Sequence, residues 1–149
     1  MKNNLIATAQ VDIKAPVSKV WDALTKPEII KQYFFGTNTE TEWKVGGPIK
    51  FYGEYQGHKY EDKGTILAFE PQTLVRYKYW SSMSGTEDKP ENYLTISYKL
   101  SGSGDSSHLE ITQDNVKDEQ TKVHSEENWK KVLAGLKSLV EGGQEIAAY

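Results

Sequence analysis

The alternation of apolar and polar residues predicts a β-strand near the start of the chain, followed directly by two short helices. Apolar residues occupy every second position from 7 to 13, the spacing of a strand with one buried face. After Ala15-Pro16 the spacing becomes helical, and Pro27 begins a second short helix. The apolar helical positions are Val17, Val20, Trp21 and Leu24, then Ile29, Ile30, Tyr33 and Phe34.

Beyond Gly36 the turn signals recur at short intervals, and the segments between them are rich in β-branched and aromatic residues. Gly46-Gly47 predicts a hairpin, Gly57-His58 another turn, and a polar loop covers residues 81–91. Gly102 and Gly104 indicate a flexible connection over residues 101–107. The pattern predicts an antiparallel meander with strands at residues 40–45, 49–55, 60–69, 74–80, 92–100 and 108–116.

A helical period appears from about Thr121 and predicts one long amphipathic helix that closes the chain. Ser125 is the predicted N-cap and Gly142-Gly143 the predicted stop, which gives roughly 17 residues and about 25 Å. Gly135 interrupts the helix, where it indicates close approach to the sheet or a wider interior. The apolar stripe consists of Trp129, Val132, Leu133, Leu136, Leu139 and Val140.

Length, charge and cysteine content narrow the class of protein. We expect the 149 residues, 1–149, to form a single domain, because no linker, repeat or low-complexity tract divides them. A net charge of −3 without a basic face argues against nucleic acid as a partner. Cysteine is absent, and no apolar run is long enough to span a membrane. The expected location is the cytoplasm.

The order of elements and particular residues within it resemble the START-like helix-grip superfamily, and more narrowly the family of the activator of Hsp90 ATPase. The matching residues are Ala15-Pro16, Val20-Trp21, Leu24-Thr25, Pro27-Glu28, Tyr33-Phe34, Val45-Gly46-Gly47, Phe51, Gly64, Glu70-Pro71, Leu74, Tyr79-Trp80, Trp129, Leu133 and Leu136-Lys137. The resemblance covers nearly the whole chain. It implies an α+β helix-grip fold, in which a curved antiparallel sheet of about six to seven strands grips the C-terminal helix.

The resemblance also implies a cavity between sheet and helix, which in relatives accepts lipids, polyketides, plant hormones or other apolar molecules. It does not imply one activity, because fold and function separate in such superfamilies. The eukaryotic co-chaperone is similar to this chain only in its C-terminal domain. Its separate N-terminal domain, associated with stimulating the ATPase, has no counterpart here, so the family name is not evidence of that activity.

No recognisable catalytic motif, metal site or cofactor site is present in the sequence. The histidines, His58, His108 and His124, fall in different elements and form no pair at metal-ligand spacing. We therefore predict no metal and no cofactor, and favour a protein that is not an enzyme.

One strand carries polar groups that suit acid–base chemistry. His58, Tyr60 and Asp62 share a face, and a buried Asp or His at these positions would suit proton transfer on an enolisable substrate. The resemblance to polyketide cyclases of this fold implies such chemistry. The alternative is an exposed, inert face near a hairpin end, and we favour it. Leu67 and Phe69, at the apolar end of the strand, fall on the face opposite to these three residues. This argues that the three point outward, unless a bulge near Gly64 exchanges the faces.

The rings and aliphatic residues that would face the helix form the best candidate for a binding site. Their composition is typical of a small-molecule pocket, although a fully packed core explains the same stripes nearly as well. The candidate residues are Phe34, Phe51, Tyr55, Tyr60, Tyr77, Tyr79, Ile96, Tyr98, Trp129, Leu133 and Leu136, with His58 and Asp62 as polar groups.

These observations favour a protein that binds a small apolar, aromatic or lipid-like ligand between the sheet and the C-terminal helix. The resemblance leaves two alternatives open. One is a co-chaperone-like interaction module whose partner is an Hsp90 homologue, and the other is a cyclase- or hydrolase-like enzyme.

Overall fold

The computed structural model describes residues 5–34, 36–55, 57–81 and 85–142. Residues Pro90–Asn92 form a 3₁₀ turn. The elements are β1 Leu5–Ile13, α1 Val17–Thr25, α2 Pro27–Tyr33, β2 Asn38–Thr41, β3 Pro48–Tyr55, β4 His58–Glu70, β5 Leu74–Ser81, β6 Leu94–Ser103, β7 Ser106–Val116 and α3 Glu119–Gly142.

The seven strands form one open antiparallel sheet in the order β1-β7-β6-β5-β4-β3-β2, with α3 packed against it. This α+β arrangement confirms the predicted helix-grip fold. The core lies between the sheet and the three helices, where β-strand residues alternate inward and the apolar stripe of α3 meets them. Trp21 of α1 contacts Phe69 of β4 at 5.3 Å between ring centroids, which fixes the short helix on the sheet.

Helix α3 covers the free edge of β1 as well as the face of the sheet. Glu126 Oε2 accepts a hydrogen bond from the Thr8 N–H at 3.0 Å, and Glu141 Oε2 accepts one from the Lys14 N–H at 2.8 Å. Lys137 Nζ donates to the Asp12 carbonyl at 3.1 Å. An edge strand otherwise presents unpaired backbone groups to other chains, so these side chains protect it.

The predicted start of the closing helix is wrong. Helix α3 has 24 residues and begins at Glu119, because the Asp118 side chain accepts the Thr121 N–H at 2.8 Å and caps it. A hydrogen bond from the Thr121 side chain, followed by this backbone bond, lowers the pKa of Asp118. Ser125 lies inside the helix. The predicted stop at Gly142 agrees with its end, whereas Gly143 lies outside the described residues.

Several strand boundaries differ from the prediction for local backbone reasons. Strand β2 covers Asn38–Thr41 and not 40–45, since Trp43 adopts a φ of 57° and packs its ring on Phe69. Strands β6 and β7 extend into the predicted flexible connection and leave only Gly104 and the next residue as the turn. Gly104 suits this turn because its φ is 61°.

Gly135 faces the end of α2 and not the sheet, which was one of its two predicted roles. A β-carbon at Gly135 would lie 3.4 Å from Tyr33 Cβ and 3.8 Å from the Tyr33 carbonyl oxygen, which are ordinary contact distances. The packing of α2 on α3 therefore does not depend on a glycine at this position.

Candidate functional site

A pocket of about 270 Å³ opens between the sheet and the N-terminal half of α3. Strands β3 to β7 supply its walls on one side, and α3 together with the segment after α2 supplies the other. Its lining residues are Phe34, Thr37, Phe51, Asp62, Tyr77, Tyr79, Ile96, Gln113, Ser125, Asn128, Trp129 and Val132.

Aromatic rings form most of the pocket wall, and they contact one another. Phe51 lies 5.7 Å from Tyr77 and 5.9 Å from Tyr79 between ring centroids. Phe34 lies 6.4 Å from Phe51 and 5.9 Å from Trp129. These are the separations of favourable aromatic pairs, so the wall is a connected set of rings.

A β-bulge decides which side chains of β4 face the pocket. The pairing of β4 with β5 shifts between Ile66 and Ala68, so Leu67 points outward while Asp62 and Ile66 point to the interior. After the bulge Phe69 also packs against the core. The bulge that the pattern required is present, but at Leu67 and not near Gly64. The backbone of Gly46 and Gly47 pairs with Ile66 at this point.

Asp62 is the polar group with the most unusual surroundings. It is only 7% exposed, and its Oδ2 accepts a hydrogen bond from the Tyr79 hydroxyl at 2.5 Å. Its Oδ1 is buried without a hydrogen-bond partner among the described residues. Burial, followed by the charge and the hydrogen bond of Asp62, holds the pKa of Tyr79 far above its usual value, while a hydrogen bond from Ser81 opposes the shift. The Tyr79 hydroxyl therefore stays protonated and is the hydrogen-bond donor to Asp62.

Tyr77, which lines the pocket, shares a buried hydrogen bond with Tyr98, which lies behind it. Their hydroxyl groups are 2.8 Å apart. Burial raises the pKa of Tyr98 to about 12 and that of Tyr77 well above its usual value. Burial also raises the pKa of Tyr33, whose hydroxyl donates to the Ala23 carbonyl at 2.7 Å. Tyr33, Tyr77, Tyr79 and Tyr98, hereafter the interior phenols, remain neutral at physiological pH.

Hydrogen bonds also hold the polar rim of the pocket. Gln113 Oε1 accepts a hydrogen bond from Trp129 Nε1 at 2.8 Å, and Gln113 Nε2 donates to Ser125 Oγ at 3.4 Å. The hydroxyl groups of Thr37 and Tyr60 lie 2.7 Å apart. These bonds fix the orientation of Trp129 and Thr37 at the pocket.

The structure brings together seven of the predicted site residues and places the others elsewhere. The pocket is lined by Phe34, Phe51, Asp62, Tyr77, Tyr79, Ile96 and Trp129. Outside its lining lie His58, Tyr60, Tyr98, Leu133 and Leu136. The side chain of Tyr55 falls outside the described residues.

Each displaced residue has a structural reason. His58 is exposed at the start of β4, and the Tyr60 ring covers Gly53 on the neighbouring strand, where a β-carbon would meet its hydroxyl at 2.7 Å. Tyr98 lies behind Tyr77. Leu133 and Leu136 are buried in the core, one and two turns beyond Trp129.

The sequence analysis missed five lining residues: Thr37, Gln113, Ser125, Asn128 and Val132. Val132 had a usable signal, since it follows Trp129 by three positions on one helix face. The polar residues had none, because nothing local distinguishes a pocket rim from an exposed surface.

The described residues also bear on metal binding and on membrane insertion. No group of three or more His, Cys, Asp or Glu side chains within them is placed to hold a metal ion. None of the helices in this part of the chain is long and apolar enough to cross a membrane.

Comparison with known proteins agrees with the fold. Residues 14–141 match the model of the family described as activator of Hsp90 ATPase homolog 1-like protein. The solution structure of ChR145 from Cytophaga hutchinsonii is 44% identical, with a TM-score of 0.83 over 95% of this chain and 97% of that one. A search of functionally curated proteins found no significant match.

Two more distant structures share the fold. The Aha1 dimer from Colwellia psychrerythraea is 20% identical, with a TM-score of 0.71 over 92% of this chain and 96% of that one. CalU16 from Micromonospora echinospora is 22% identical, with a TM-score of 0.67 over 99% of this chain and 92% of that one.

Proposed function

The chain belongs to the activator of Hsp90 ATPase homolog 1-like family, and from this premise we propose that it binds a small aromatic or apolar molecule in the pocket beneath α3. The observation that carries the proposal is the connected wall of Phe34, Phe51, Tyr77, Tyr79 and Trp129 around about 270 Å³. Small-molecule sites are mostly apolar and aromatic with a few polar groups, which is the composition of this lining.

The pocket volume sets the size of the ligand. An apolar protein cavity of about 150 Å³ holds one benzene molecule. A volume of about 270 Å³ therefore suits a two-ring aromatic compound. Longer ligands fit only where part of the molecule stays outside the pocket.

Calorimetric titration of the full chain with 2-naphthalenemethanol tests the proposal. We expect saturable one-to-one binding with a dissociation constant below about 1 mM, given the small number of ligand atoms. Asn128 lies exposed on the rim, so Asn128→Trp covers the entrance without entering the core. Lys130→Trp places the same ring on the same helix away from the pocket and serves as the matched control.

The two variants separate pocket binding from surface binding. Asn128→Trp weakens the affinity at least tenfold, while Lys130→Trp leaves it within twofold. The absence of saturable binding, or equal affinities for the two variants, contradicts the proposal.

A second candidate function is acid–base catalysis, which one observation favours. Asp62 Oδ1 is an unpartnered acceptor beside the Tyr79 hydroxyl, so a base and a hydrogen-bond donor meet at the pocket. The probe is 2-tetralone, whose α-protons exchange with deuterated water by enolisation. Exchange accelerated by the protein and lost in Asp62→Asn supports catalysis, and exchange at the uncatalysed rate refutes it.

The co-chaperone-like function remains a prediction. Among the described residues, five large apolar side chains are exposed, and they come from five separate parts of the fold: Ile6, Val45, Tyr52, Leu67 and Val123. Co-elution with an Hsp90 homologue at micromolar concentration supports this function, and separate elution argues against it.

A further inference from the structure

Within the binding function proposed above, we infer that the pocket selects cationic amines that carry an aromatic body. The ligand's ammonium or protonated ring nitrogen binds Asp62, and its rings lie against the aromatic wall. This names a charge and a ligand class that neither the fold nor the family assigns.

The first support is the unpartnered oxygen of Asp62. Its side chain is more than nine-tenths buried and lines the pocket, and Oδ1 finds no donor among the described residues. A buried carboxylate oxygen without a donor is costly, and an N–H group of a ligand at this point offsets that cost. Oδ2 is already occupied by Tyr79, so Oδ1 is the acceptor that a ligand N–H group would use.

The second support is the charge of the lining. Asp62 is the single formally charged residue among the twelve that line the pocket, and it forms no ion pair with a described lysine, arginine or histidine. The neighbouring Lys63 points to the opposite face of β4 and pairs with Asp88. A cationic ligand therefore meets one negative charge and no competing positive one.

The third support is the nature of the walls. Aromatic faces carry negative electrostatic potential and attract organic cations, and this attraction increases when the site excludes water. Phe51 and Tyr77 lie 5.7 Å apart, and Tyr79 joins them while also binding Asp62. The arrangement combines a carboxylate with several ring faces, which suits an amine attached to an aromatic body and disfavours a carboxylate ligand.

Three probes of nearly equal shape test the inference: 2-naphthylmethylammonium, 2-naphthalenemethanol and 2-naphthoate, titrated calorimetrically into the full chain at pH 7. We expect the amine to bind at least tenfold more tightly than the alcohol, and the naphthoate most weakly. Asp62→Asn removes the preference for the amine, measured as the ratio of amine to alcohol affinity in that variant. Asp105→Asn removes the same charge from the exposed turn between β6 and β7 and retains the preference.

The outcomes distinguish the two proposals. Alcohol or naphthoate affinity equal to that of the amine, or an amine preference that survives in Asp62→Asn, overturns the inference and leaves the binding function in place. Failure of all three probes to bind overturns both. Should Asp62→Asn not fold, the ratio of amine to alcohol affinity in the unaltered chain decides the inference alone.

Discussion

The hydrogen bond between Tyr77 and Tyr98 offers a quantitative test of how the pocket is supported. The two residues are 2% and 8% exposed, and their hydroxyl groups lie 2.8 Å apart. In Tyr77→Phe the Tyr98 hydroxyl stays buried without this partner, which lowers the free energy of unfolding by about 1–3 kcal/mol. In Tyr98→Phe the Tyr77 hydroxyl is left buried without its partner in the same way, so we expect a loss of similar size.

The double variant separates the hydrogen bond from the rest of each residue. With both hydroxyl groups removed, no buried donor is left unpaired, so the combined loss is smaller than the sum of the single losses by about 1 kcal/mol. Urea unfolding followed by far-ultraviolet circular dichroism measures the effect. With a denaturant slope of about 2 kcal/mol per molar, a loss of about 2 kcal/mol moves the midpoint by about 1 M.

A matched control and a clear contradiction complete this test. Tyr52 is exposed on β3, so Tyr52→Phe changes the free energy of unfolding by less than about 0.5 kcal/mol. Single losses that simply add in the double variant refute the assigned hydrogen bond. A loss below about 0.5 kcal/mol in both single variants also refutes it, because a buried hydroxyl left without its partner costs more.

Three further perturbations test the fold around the site. Gly64→Ala places a β-carbon 1.6 Å from the Lys78 carbonyl oxygen, and we expect a loss of about 3 kcal/mol or more in urea unfolding; an unchanged midpoint contradicts the close pairing. Glu126→Ala uncovers the β1 edge and costs about 1–2 kcal/mol by the same measurement, whereas the exposed neighbour in Glu127→Ala costs less than about 0.5 kcal/mol; equal effects refute the edge contact. The interior phenols have higher pKa values in the folded protein than in the unfolded chain. Their contribution to stability is therefore complete below about pH 10 and is lost as the pH rises toward the folded-state pKa values. Absorbance at 295 nm shows these phenols ionising only as the protein unfolds, and complete titration of all nine tyrosines near pH 10 with the fold intact contradicts their burial.

The sequence predicted the parts of the fold in which a simple period persists. Alternation placed Tyr77 and Tyr79 on one face of β5, and the helical stripe placed Trp129, Leu133 and Leu136 on the core side of α3. The beginning of α3 escaped prediction because its first turns are polar and carry no apolar stripe. The side chain of Asp118 determines that end instead.

The position of Asp62 depended on one extra residue in β4. Side chains of a strand alternate with a period of two, so a single inserted residue exchanges the faces for everything beyond it. Asp62 and Phe69 have opposite parity, and both face the interior only because Leu67 bulges outward. Strict alternation continued across this point places either Asp62 or Phe69 on the outer face of the sheet. The identification of the polar group in the pocket therefore required the strand register.

Helix α3 divides its contacts between the pocket and the fold. Ser125 and Asn128 line the pocket without being buried, whereas Val132, Leu136 and Val140 pack into the core. The contacts that hold the helix on β1 come from Glu126 and Glu141, which occupy other helix positions. Substitutions at Ser125 and Asn128 therefore change the shape and polarity of the pocket at small cost to stability, while Asp62 on β4 remains its one formally charged lining residue.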